Sequence, residues 1–298
     1  MSSPDITVVM ITRDRRAEAV RTLAHLTSLP DAAPIVVADN GSADGTAEAI
    51  AAQFPAVELL RCADNLGAVA RNLAVEQVTT RHVAFCDDDM RWQPGALTRA
   101  AADLDAHPEL GGVMGRCLVE PDLREDPLTP ELRHSPLPSP PDLPGPVVLG
   151  GLAGAAAFRT SAFREVGGFS RLLWFAGEEE LLAIDLAARG WRLCWDEDVV
   201  VHHAASAVRQ SRQRRELGLR NALWTTWLRR PVPSAVRRSA AILASAPKDT
   251  TTARALARAL AGIGGVLRER AVVPDQVEAG LRTLERPQRR SPARQYQD

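Results

Sequence analysis

Three consecutive carboxylates, Asp87, Asp88 and Asp89, stand directly after an apolar run at residues 82–86. Acidic groups at the end of a buried strand repel one another, so their assembly costs stability unless a cation neutralises them. Carboxylate oxygens favour Mg²⁺ or Mn²⁺, ions that also bind phosphate oxygens. A solvated acidic turn is the alternative interpretation. A phosphatase-like site with a nucleophilic Asp is disfavoured, because Arg91 stands where such sites carry Thr or Val.

Two further polar turns follow apolar runs. The first contains Asp39, whose carboxylate either accepts the N–H of a pyrimidine base or forms an Asx turn with its neighbours. The second contains Asn65 and Gly67 and leads to Arg71. Glycine lets the backbone approach a ligand, and arginine binds phosphate or carboxylate groups. A plain turn followed by a surface arginine is the alternative at this position.

Two more groups of polar residues lie in the second half of the chain. Glu178, Glu179 and Glu180 open a predicted helix, where they either stabilise the helix dipole or supply a general base. His202 and His203 end a predicted strand, and such histidines are structural unless they join the carboxylates in a metal shell. Since adjacent strand residues point to opposite faces, we expect at most one of the two to face the site.

Alternating strands and helices are predicted to position these residues. Hydrophobic periodicity predicts strands at 6–11, 34–38, 57–61 and 82–86, helices at 15–29, 43–53, 68–78, 94–107, 160–166 and 178–189, and strands at 191–195 and 199–201. This alternation predicts an α/β protein with a mostly parallel sheet covered by helices on both faces. The carboxyl ends of parallel strands share one edge, so the polar turns are expected to converge there.

Residues 120–147 contain nine prolines and are predicted to form a functional loop or a mobile lid without regular structure. With the segment after Gly150, this stretch is expected to build part of a substrate pocket. Regular structure is predicted to resume in the apolar run at 147–158. The tail from Pro287 is predicted to be disordered.

The bulk composition, with 45% apolar and 24% charged residues among 298, is typical of a globular protein. The sequence has no apolar run of eighteen residues that would predict a transmembrane helix. The first predicted strand also begins too early to leave room for a secretory leader, so we expect a cytoplasmic location. The four separated cysteines are expected to be reduced thiols. We expect no nucleic-acid partner, and the oligomeric state stays undetermined.

Charge is divided unevenly along the chain. Residues 1–204 carry 17 basic and 30 acidic side chains, whereas residues 205–298 carry 19 and 7. The basic, helical C-terminal part contains Trp224 and Trp227. These tryptophans either pack the helices onto the rest of the protein or make a peripheral contact with the inner face of a membrane.

Several long segments, in a consistent order over about residues 5–206, resemble a family 2 glycosyltransferase of the GT-A (nucleotide-diphospho-sugar transferase) fold. They are TVVMITRDR, IVVADNGSADGT, DNLGAVARN, VAFCDDDMRWQPGAL, GLAGAAAFRTSAFREVGGF, GEEELLAIDLAARGWRL and VVVHHAAS. The resemblance implies a catalytic domain at 1–206, with a nucleotide-binding half at 1–110 and an acceptor and catalytic-base half at 148–206. A basic helical extension at 207–286 and a tail at 287–298 would follow.

The resemblance also implies a role for each matching position. Thr12 and Arg13 would line the base and ribose pocket, Asp39 would bind the pyrimidine, and Asn65, Gly67 and Arg71 would flank the nucleotide. Asp87 and Asp88 would belong to the nucleotide-sugar site, with Asp88 near the ribose. Asp89 would hold the metal, with Asp87 also possible, and His202 would lie near the metal or the diphosphate, with His203 as the second choice.

The implied reaction is an inverting displacement in which a carboxylate deprotonates an acceptor hydroxyl and Mg²⁺ or Mn²⁺ stabilises the departing nucleoside diphosphate. The family most often has Glu-Asp at the helix start, and this chain has Glu178-Glu179, so Glu179 is the expected base. Glu178 and Glu180 stay open as alternatives. A sugar nucleotidyltransferase is disfavoured because the segment after the first strand lacks glycines, and a non-catalytic nucleotide-sugar binding protein is disfavoured by the intact acidic groups.

Overall fold

A nine-stranded sheet runs through the part of the chain that the computed structural model describes, namely residues 4–204, 211–291 and 293. Its strands are β1 (Ile6–Thr12), β2 (Ile35–Asp39), β3 (Glu58–Arg61), β4 (His82–Asp87), β5 (Met90–Trp92), β6 (Leu110–Val119), β7 (Arg124–Glu125), β8 (Ala156–Arg159) and β9 (Arg192–His203).

The strand order is β3-β2-β1-β4-β8-β6-β9-β5, and β7 pairs with β6. The first half of the sheet is parallel as predicted, because β1 pairs in parallel with β2 and β4, and β2 pairs in parallel with β3. Strand β8 runs antiparallel between β4 and β6. The carboxyl ends of β1, β2 and β4 therefore meet at one edge, where Thr12, Asp39 and Asp87 end their strands.

The helices among residues 4–204 lie close to their predicted positions, except for one in the Pro-rich segment that was not predicted, and residues 211–290 form five more. The helices are α1 (Arg16–Ser28), α2 (Thr46–Gln53), α3 (Val69–Gln77), α4 (Ala96–Ala106), α5 (Thr129–Arg133), α6 (Thr160–Glu165), α7 (Glu178–Ala188), α8 (Ser211–Arg229), α9 (Val232–Ser245), α10 (Thr250–Ala261), α11 (Ile263–Arg268) and α12 (Asp275–Arg290).

Both faces of the sheet are buried, and β1 shows why. Ile6, Val8 and Met10 pack into one apolar cluster with side chains of α1 and α4, whereas Val9 packs into the opposite cluster with α3 and α6. Alternating side chains on a strand point to opposite faces, so a continuous apolar run indicates cover on both sides. The sheet is thereby held rigid beneath its polar edge.

Strands β5 and β6 were not predicted, and β9 was predicted as two separate strands. Strand β5 has three residues and contains Arg91, so its apolar pattern is too short to detect. In β9 the pairing with β6 shifts after Asp196, and Arg116 pairs with Val200. The acidic residues Glu197 and Asp198 sit in that irregularity and interrupt the apolar pattern, although the strand continues through them.

The Pro-rich segment 120–147 contains regular structure, contrary to the prediction. Strand β7 pairs with the end of β6, and α5 carries Pro130 in its first turn, where the missing N–H of proline removes no helical hydrogen bond. At the far end, Val147 forms a bridge with Cys194 of β9. Prolines at loop and helix-start positions therefore did not exclude short elements.

The tail predicted to be disordered from Pro287 is helical as far as Arg290. Helix α12 is held by long-range pairs, including Arg230 with Glu278 at 2.9 Å and with Glu285 at 2.8 Å. These contacts keep the end of the helix ordered in spite of its internal proline. Residues 292 and 294–298, and the expected domain boundary at 206–207, lie outside the described residues.

The C-terminal helices α8 to α11 share an apolar cluster with Leu173 and with Leu181 of α7. Leu173 and Leu181 pack with Trp224 of α8, and the indole N–H of Trp224 donates to the carbonyl of Ala259 at 3.0 Å. The indole N–H of Trp227 donates to Ser239 at 3.1 Å. Trp224 therefore packs the C-terminal helices onto Leu173 and Leu181, as in the first of the two alternatives, whereas the hydrogen bond of Trp227 joins two of the C-terminal helices to each other. Among the described helices, none combines the length and the apolar character that a membrane crossing requires.

A buried acidic pair between α4 and β9 makes the stability of the fold depend on pH. Asp103 lies 8% exposed beside Asp196, and Arg99 contacts both carboxylates. Burial and the hydrogen bond with Asp196 raise the pKa of Asp103 to about 7. The folded protein thus retains a proton that the unfolded chain loses near its ordinary pKa of 3.8. The stabilisation that protonated Asp103 gives the fold is fully present below pH 3.8 and is lost as the pH rises towards about 7.

Asp103→Asn is therefore expected to raise the melting temperature at pH 8 by about 3 °C or more, and to give a smaller gain at pH 5. The neutral amide keeps a hydrogen-bond donor for Asp196 without the charge. Thermal unfolding followed by circular dichroism at both pH values measures the effect. Asp122→Asn on the exposed surface is the matched control, and an equal gain at both pH values would contradict the prediction.

Candidate active site

A cavity of about 430 Å³ opens at the carboxyl edge of the parallel strands. It is bounded by the ends of β1 and β4, by the turn after β3, by the start of α7 and by α8. The residues from the predicted set that line it are Thr12, Arg13, Asn65, Gly67, Asp87, Asp88, Asp89, Glu179 and His203. The sheet thus brings together side chains that are as many as 191 positions apart in the chain.

The acidic run turns sharply from β4 into β5, and its three carboxylates have different surroundings. The Asp87 carboxylate accepts a hydrogen bond from Arg71 at 2.5 Å. Asp88 is 5% exposed and accepts a hydrogen bond from the Thr12 hydroxyl at 2.8 Å. Burial raises the pKa of Asp88 to about 7, in spite of the opposing charge of Arg15. Asp88 is therefore held against β1 at the wall of the cavity.

Arg15, which the sequence did not single out, pairs with two of these carboxylates. Its guanidinium lies 2.8 Å from Asp88 and 3.2 Å from Asp89. Burial works to raise the pKa of Asp89, but His203 and Arg15 outweigh it and hold that pKa below its ordinary value. Only the tertiary fold reveals this role, since Arg15 is one of three arginines between residues 13 and 16.

The two strand-end histidines face different partners. His203 Nε2 lies 3.6 Å from Asp89 Oδ1 and lines the cavity. His202 Nε2 instead lies 2.7 Å from Gln93, and its Nδ1 lies 3.5 Å from Glu120. Of the two histidines, His203 is the one that lines the cavity, because β9 pairs with β5 in a register that sets His203 opposite Met90, beside the acidic run.

Asp39 is not among the described residues that line the cavity. It is 3% exposed, and its carboxylate accepts hydrogen bonds from the backbone N–H and the hydroxyl of Ser42. This is the Asx-turn arrangement that stood as the alternative. The next residue, Asn40, lines the cavity and holds the second turn by donating to the carbonyl of Gly67 at 2.9 Å.

Arg71 and Glu178 form a buried layer behind the cavity. Each is 2% exposed, and Arg71 Nη1 lies 3.8 Å from Glu178 Oε1. Burial and the charge of Glu179 raise the pKa of Glu178 to about 8. Arg71 is thus a core residue that ties α3 to Asp87 and α7, rather than an exposed ligand in this structure.

Glu179 is the member of the glutamate triplet that lines the cavity. It stands in the first turn of α7, after Gly177 at φ 89°, a conformation that favours glycine. Burial raises the pKa of Glu179 above its ordinary value. A carboxylate with a raised pKa that opens into a polar cavity is suited to accept a proton near neutral pH.

The segment before α7 is strained and is held by the C-terminal extension. Trp174 and Ala176 adopt φ values of 61° and 71°. The side-chain amide of Asn221, which is fully buried in α8, donates to the carbonyls of Leu173, Phe175 and Ala176 at 2.7–2.9 Å. Helix α8 also adds Gln213, Arg214 and Leu217 to the cavity lining. The sequence did not indicate that the extension completes the site.

Asn221→Ala is expected to lower the free energy of unfolding by about 2 kcal/mol or more, because it leaves buried carbonyls without donors. Hydrogen exchange of the amides at 173–177 should accelerate, since the strained turn loses its anchor. Denaturant unfolding and mass-spectrometric hydrogen exchange measure both effects. Arg212→Ala, on the exposed face of the same helix, should change neither, and unchanged exchange in Asn221→Ala would contradict the anchoring role.

Comparison with known proteins identifies the family. The profile described as "Glycosyl transferase family 2" matches residues 7–167, more than half of the chain. The chain belongs to this family. It is a glycosyltransferase, which sets aside the nucleotidyltransferase alternative. The "N-acetylglucosaminyl-diphospho-decaprenol L-rhamnosyltransferase" of Mycobacterium tuberculosis is 29% identical over 239 residues, covering 66% of this chain and 76% of that relative.

Solved structures agree with this family in fold. The mannosyltransferase PcManGT from Pyrobaculum calidifontis, in complex with GDP-Man and Mn²⁺, aligns over 95% of this chain and 86% of its own, with a TM-score of 0.60 and 20% identity. S. aureus TarS in complex with UDP-GlcNAc aligns over 98% and 88%, with a TM-score of 0.57 and 16% identity. The GT-A fold implied by the sequence is confirmed.

A divalent cation fits the donor groups of this family 2 site. Asp89 and His203 are each about 10% exposed and lie side by side at the cavity wall. A carboxylate oxygen and an imidazole nitrogen are ligands that Mn²⁺ accepts. Buried carboxylates also need a counter-charge, which Arg15 supplies in this structure.

Proposed function

We propose that the protein is a metal-dependent, inverting glycosyltransferase that moves a sugar from a nucleoside diphosphate, UDP or dTDP in preference, to an acceptor hydroxyl. The observation that carries the proposal is the shared cavity. Asp89 and His203 enter it from the strand ends, and Glu179 enters it from the first turn of α7. One cavity can thus hold the diphosphate of a bound donor beside a carboxylate that accepts the proton of the acceptor hydroxyl.

Glu179 is the proposed base. It takes the proton from the acceptor hydroxyl as the oxygen attacks the anomeric carbon, and the bond from that carbon to the diphosphate oxygen breaks. Attack on the face opposite the leaving group inverts the configuration at the anomeric carbon. The raised pKa of Glu179 supports this role, because a base whose pKa lies nearer to neutrality removes a proton more effectively.

Asp89 and His203 are the proposed metal ligands. Bound Mg²⁺ or Mn²⁺ would supply stabilisation of the negative charge on the departing diphosphate. Asp88, fixed by Thr12 and Arg15, is proposed to orient the ribose. His202 is left out of the proposed ligand set because it faces Gln93 and Glu120.

Asp39 and Arg71 keep proposed roles of a different kind. Asp39 holds the turn after β2. It would bind a pyrimidine base by replacing its hydrogen bonds from Ser42 with one from the N–H of the base. Arg71 fixes Asp87 and the start of α7, and so positions both ends of the site. Arg13, Asn65 and Gly67 line the cavity and are proposed to contact the nucleoside.

The relative that acts on a lipid diphosphate supports a candidate class of substrates. By analogy with that L-rhamnosyltransferase, we infer a deoxyhexose such as rhamnose as the sugar and an acceptor that carries a diphosphate. Arg214 lines the cavity from α8 and offers a positive charge to such an acceptor. The reaction would then take place at the cytoplasmic face of a membrane, where lipid-linked acceptors are accessible.

A donor screen tests the proposal. UDP-, dTDP- and GDP-sugars are each added with Mn²⁺, and thermal unfolding of the full chain is recorded. A donor present at 100 times its Kd stabilises the fold by about 2.7 kcal/mol. The preferred donor should also be hydrolysed slowly, in a reaction that Mn²⁺ supports and a chelator stops. Stabilisation by none of the donors, with no hydrolysis, would contradict the proposal.

A further inference from the structure

A second group of metal-ligand residues lies next to Asp89 and shares His203 with the proposed transfer site, whereas its other two members have no role in the proposed transfer. Cys117 of β6, Asp126 of the Pro-rich segment and His203 of β9 each offer a ligand atom, and these atoms all lie within 4.8 Å of one another. Cys117 and His203 are buried, whereas Asp126 is half-buried and lines the cavity. The group is therefore open to ions that enter the cavity.

The backbone holds these three residues in place. In the parallel pairing of β6 with β9, Cys117 lies opposite Val201 and Val119 lies opposite His203, which sets Cys117 and His203 on the same face of the sheet. The backbone N–H of Asp126 donates to the carbonyl of Cys117 at 2.9 Å. Asp126 Oδ1 accepts a hydrogen bond from Leu128 at 2.9 Å, which orients its carboxylate. The cluster is built by three separate elements.

The ligand types distinguish this group from the Asp89 site. A thiolate, an imidazole and one carboxylate suit a borderline-soft ion such as Zn²⁺, whereas Mg²⁺ and Mn²⁺ prefer oxygen. Ligand atoms around one tetrahedral zinc lie about 3.3–3.8 Å apart, given bond lengths of about 2.0–2.3 Å. Small rotations of the side chains would close the group around an ion, with a fourth position facing the cavity.

We infer that Cys117, Asp126 and His203 form an inhibitory Zn²⁺ site that competes with the metal of the transfer reaction for His203. A neutral imidazole has one nitrogen lone pair, so the ring serves one ion at a time whichever nitrogen is used. Zinc bound to Cys117, Asp126 and His203 therefore deprives the Mg²⁺ or Mn²⁺ ion at Asp89 of its His203 ligand. The inhibition rests on the proposed function, whereas the binding of zinc does not.

The binding is tested on the metal-free full chain with Co²⁺ as a spectroscopic substitute for zinc. One equivalent of Co²⁺ should produce sulfur-to-metal charge-transfer absorption in the near ultraviolet, and Zn²⁺ should abolish it. Cys117→Ala should lose the band, and Asp126→Asn should weaken Co²⁺ binding by at least about tenfold. Cys194→Ala, which removes a buried thiol from neighbouring β9, is the matched control and should keep the band.

Competition is measured separately by electron paramagnetic resonance of Mn²⁺. Equimolar Zn²⁺ should raise the apparent Kd for Mn²⁺ at least about tenfold in the wild type and leave Cys117→Ala unchanged. Transfer supported by Mn²⁺ should be inhibited by Zn²⁺ in the wild type and resistant in Cys117→Ala.

Absence of the charge-transfer band in the wild type, or its persistence in Cys117→Ala, would overturn the site. If Cys117→Ala does not fold, Co²⁺ binding to Asp126→Asn that equals the wild type overturns it. A band without any transfer activity would support the site and count against the proposed function alone.

Discussion

Glu179→Gln is expected to lower the rate of sugar transfer by about 10²–10⁴-fold while the donor still binds. Glutamine keeps the size and the hydrogen-bonding oxygen of the side chain but cannot accept the acceptor proton. Among the three glutamates that open α7, Glu179 is the one that lines the cavity in the described part of the chain. The effect should fall on kcat, with little change in the KM for the donor.

Steady-state transfer assays with the donor found by the thermal screen measure this loss. Glu180→Gln, at the next position in the helix, is the matched control and should retain transfer within about a few fold. Glu178→Gln separates chemistry from packing, because Glu178 faces Arg71 in the core. If Glu179→Gln kept near wild-type transfer, the base would have to be sought at another residue, and the inverting mechanism proposed here would lose its proton acceptor.

Asp89→Asn should have the second large effect, on metal binding as well as on transfer. Asparagine keeps one oxygen but removes the charge that attracts the cation. Loss of an outer hydrogen-bond partner of a metal ligand weakens binding by about 10–100-fold, and loss of a ligand's charge should exceed this range. We therefore expect the Kd for Mn²⁺ to rise more than about 100-fold and transfer to fall about as far.

The metal effect can be measured without any donor, by titrating Mn²⁺ and recording its paramagnetic signal. Asp64→Asn, an exposed strand-end aspartate in the turn after β3, is the control and should leave the Kd for Mn²⁺ unchanged. Wild-type affinity in Asp89→Asn would show that the ion binds elsewhere. His203→Ala provides an independent reading of the same site, since it removes the neighbouring nitrogen.

The predictable part of the site is the part that local patterns specify. Apolar runs at 34–38 and 82–86, followed by Asp39 and Asp87, indicate buried parallel strands with polar ends, whereas the strand before Asp64-Asn65 is only partly buried. Parallel strands place their carboxyl ends at one edge, so the convergence follows from strand direction alone. The start of α7 was equally readable, because acidic residues after a glycine mark a helix N-terminus.

The choice between alternatives at one position required the three-dimensional structure. Asp39 was readable either as a ligand or as an Asx turn, and its bonds with Ser42 are visible only in three dimensions. His202 and His203 are adjacent in the chain and identical in type. Strand alternation alone sets them on opposite faces, but which of the two lies beside the acidic run depends on how β9 pairs with β5, which is a long-range register.

What the amino-acid order determined is therefore the sheet, its polar edge and the chemical types gathered there, because side-chain periodicity and strand direction are local properties. Folding in three dimensions decided which side chains reach the cavity. Arg15 became the partner of Asp88 and Asp89, Asp126 joined Cys117 and His203, and α8 anchored the turn before Glu179. Most of these contacts join residues that are tens of positions apart in the chain. Their distances depend on packing between elements, which the periodicity of a single segment does not reveal.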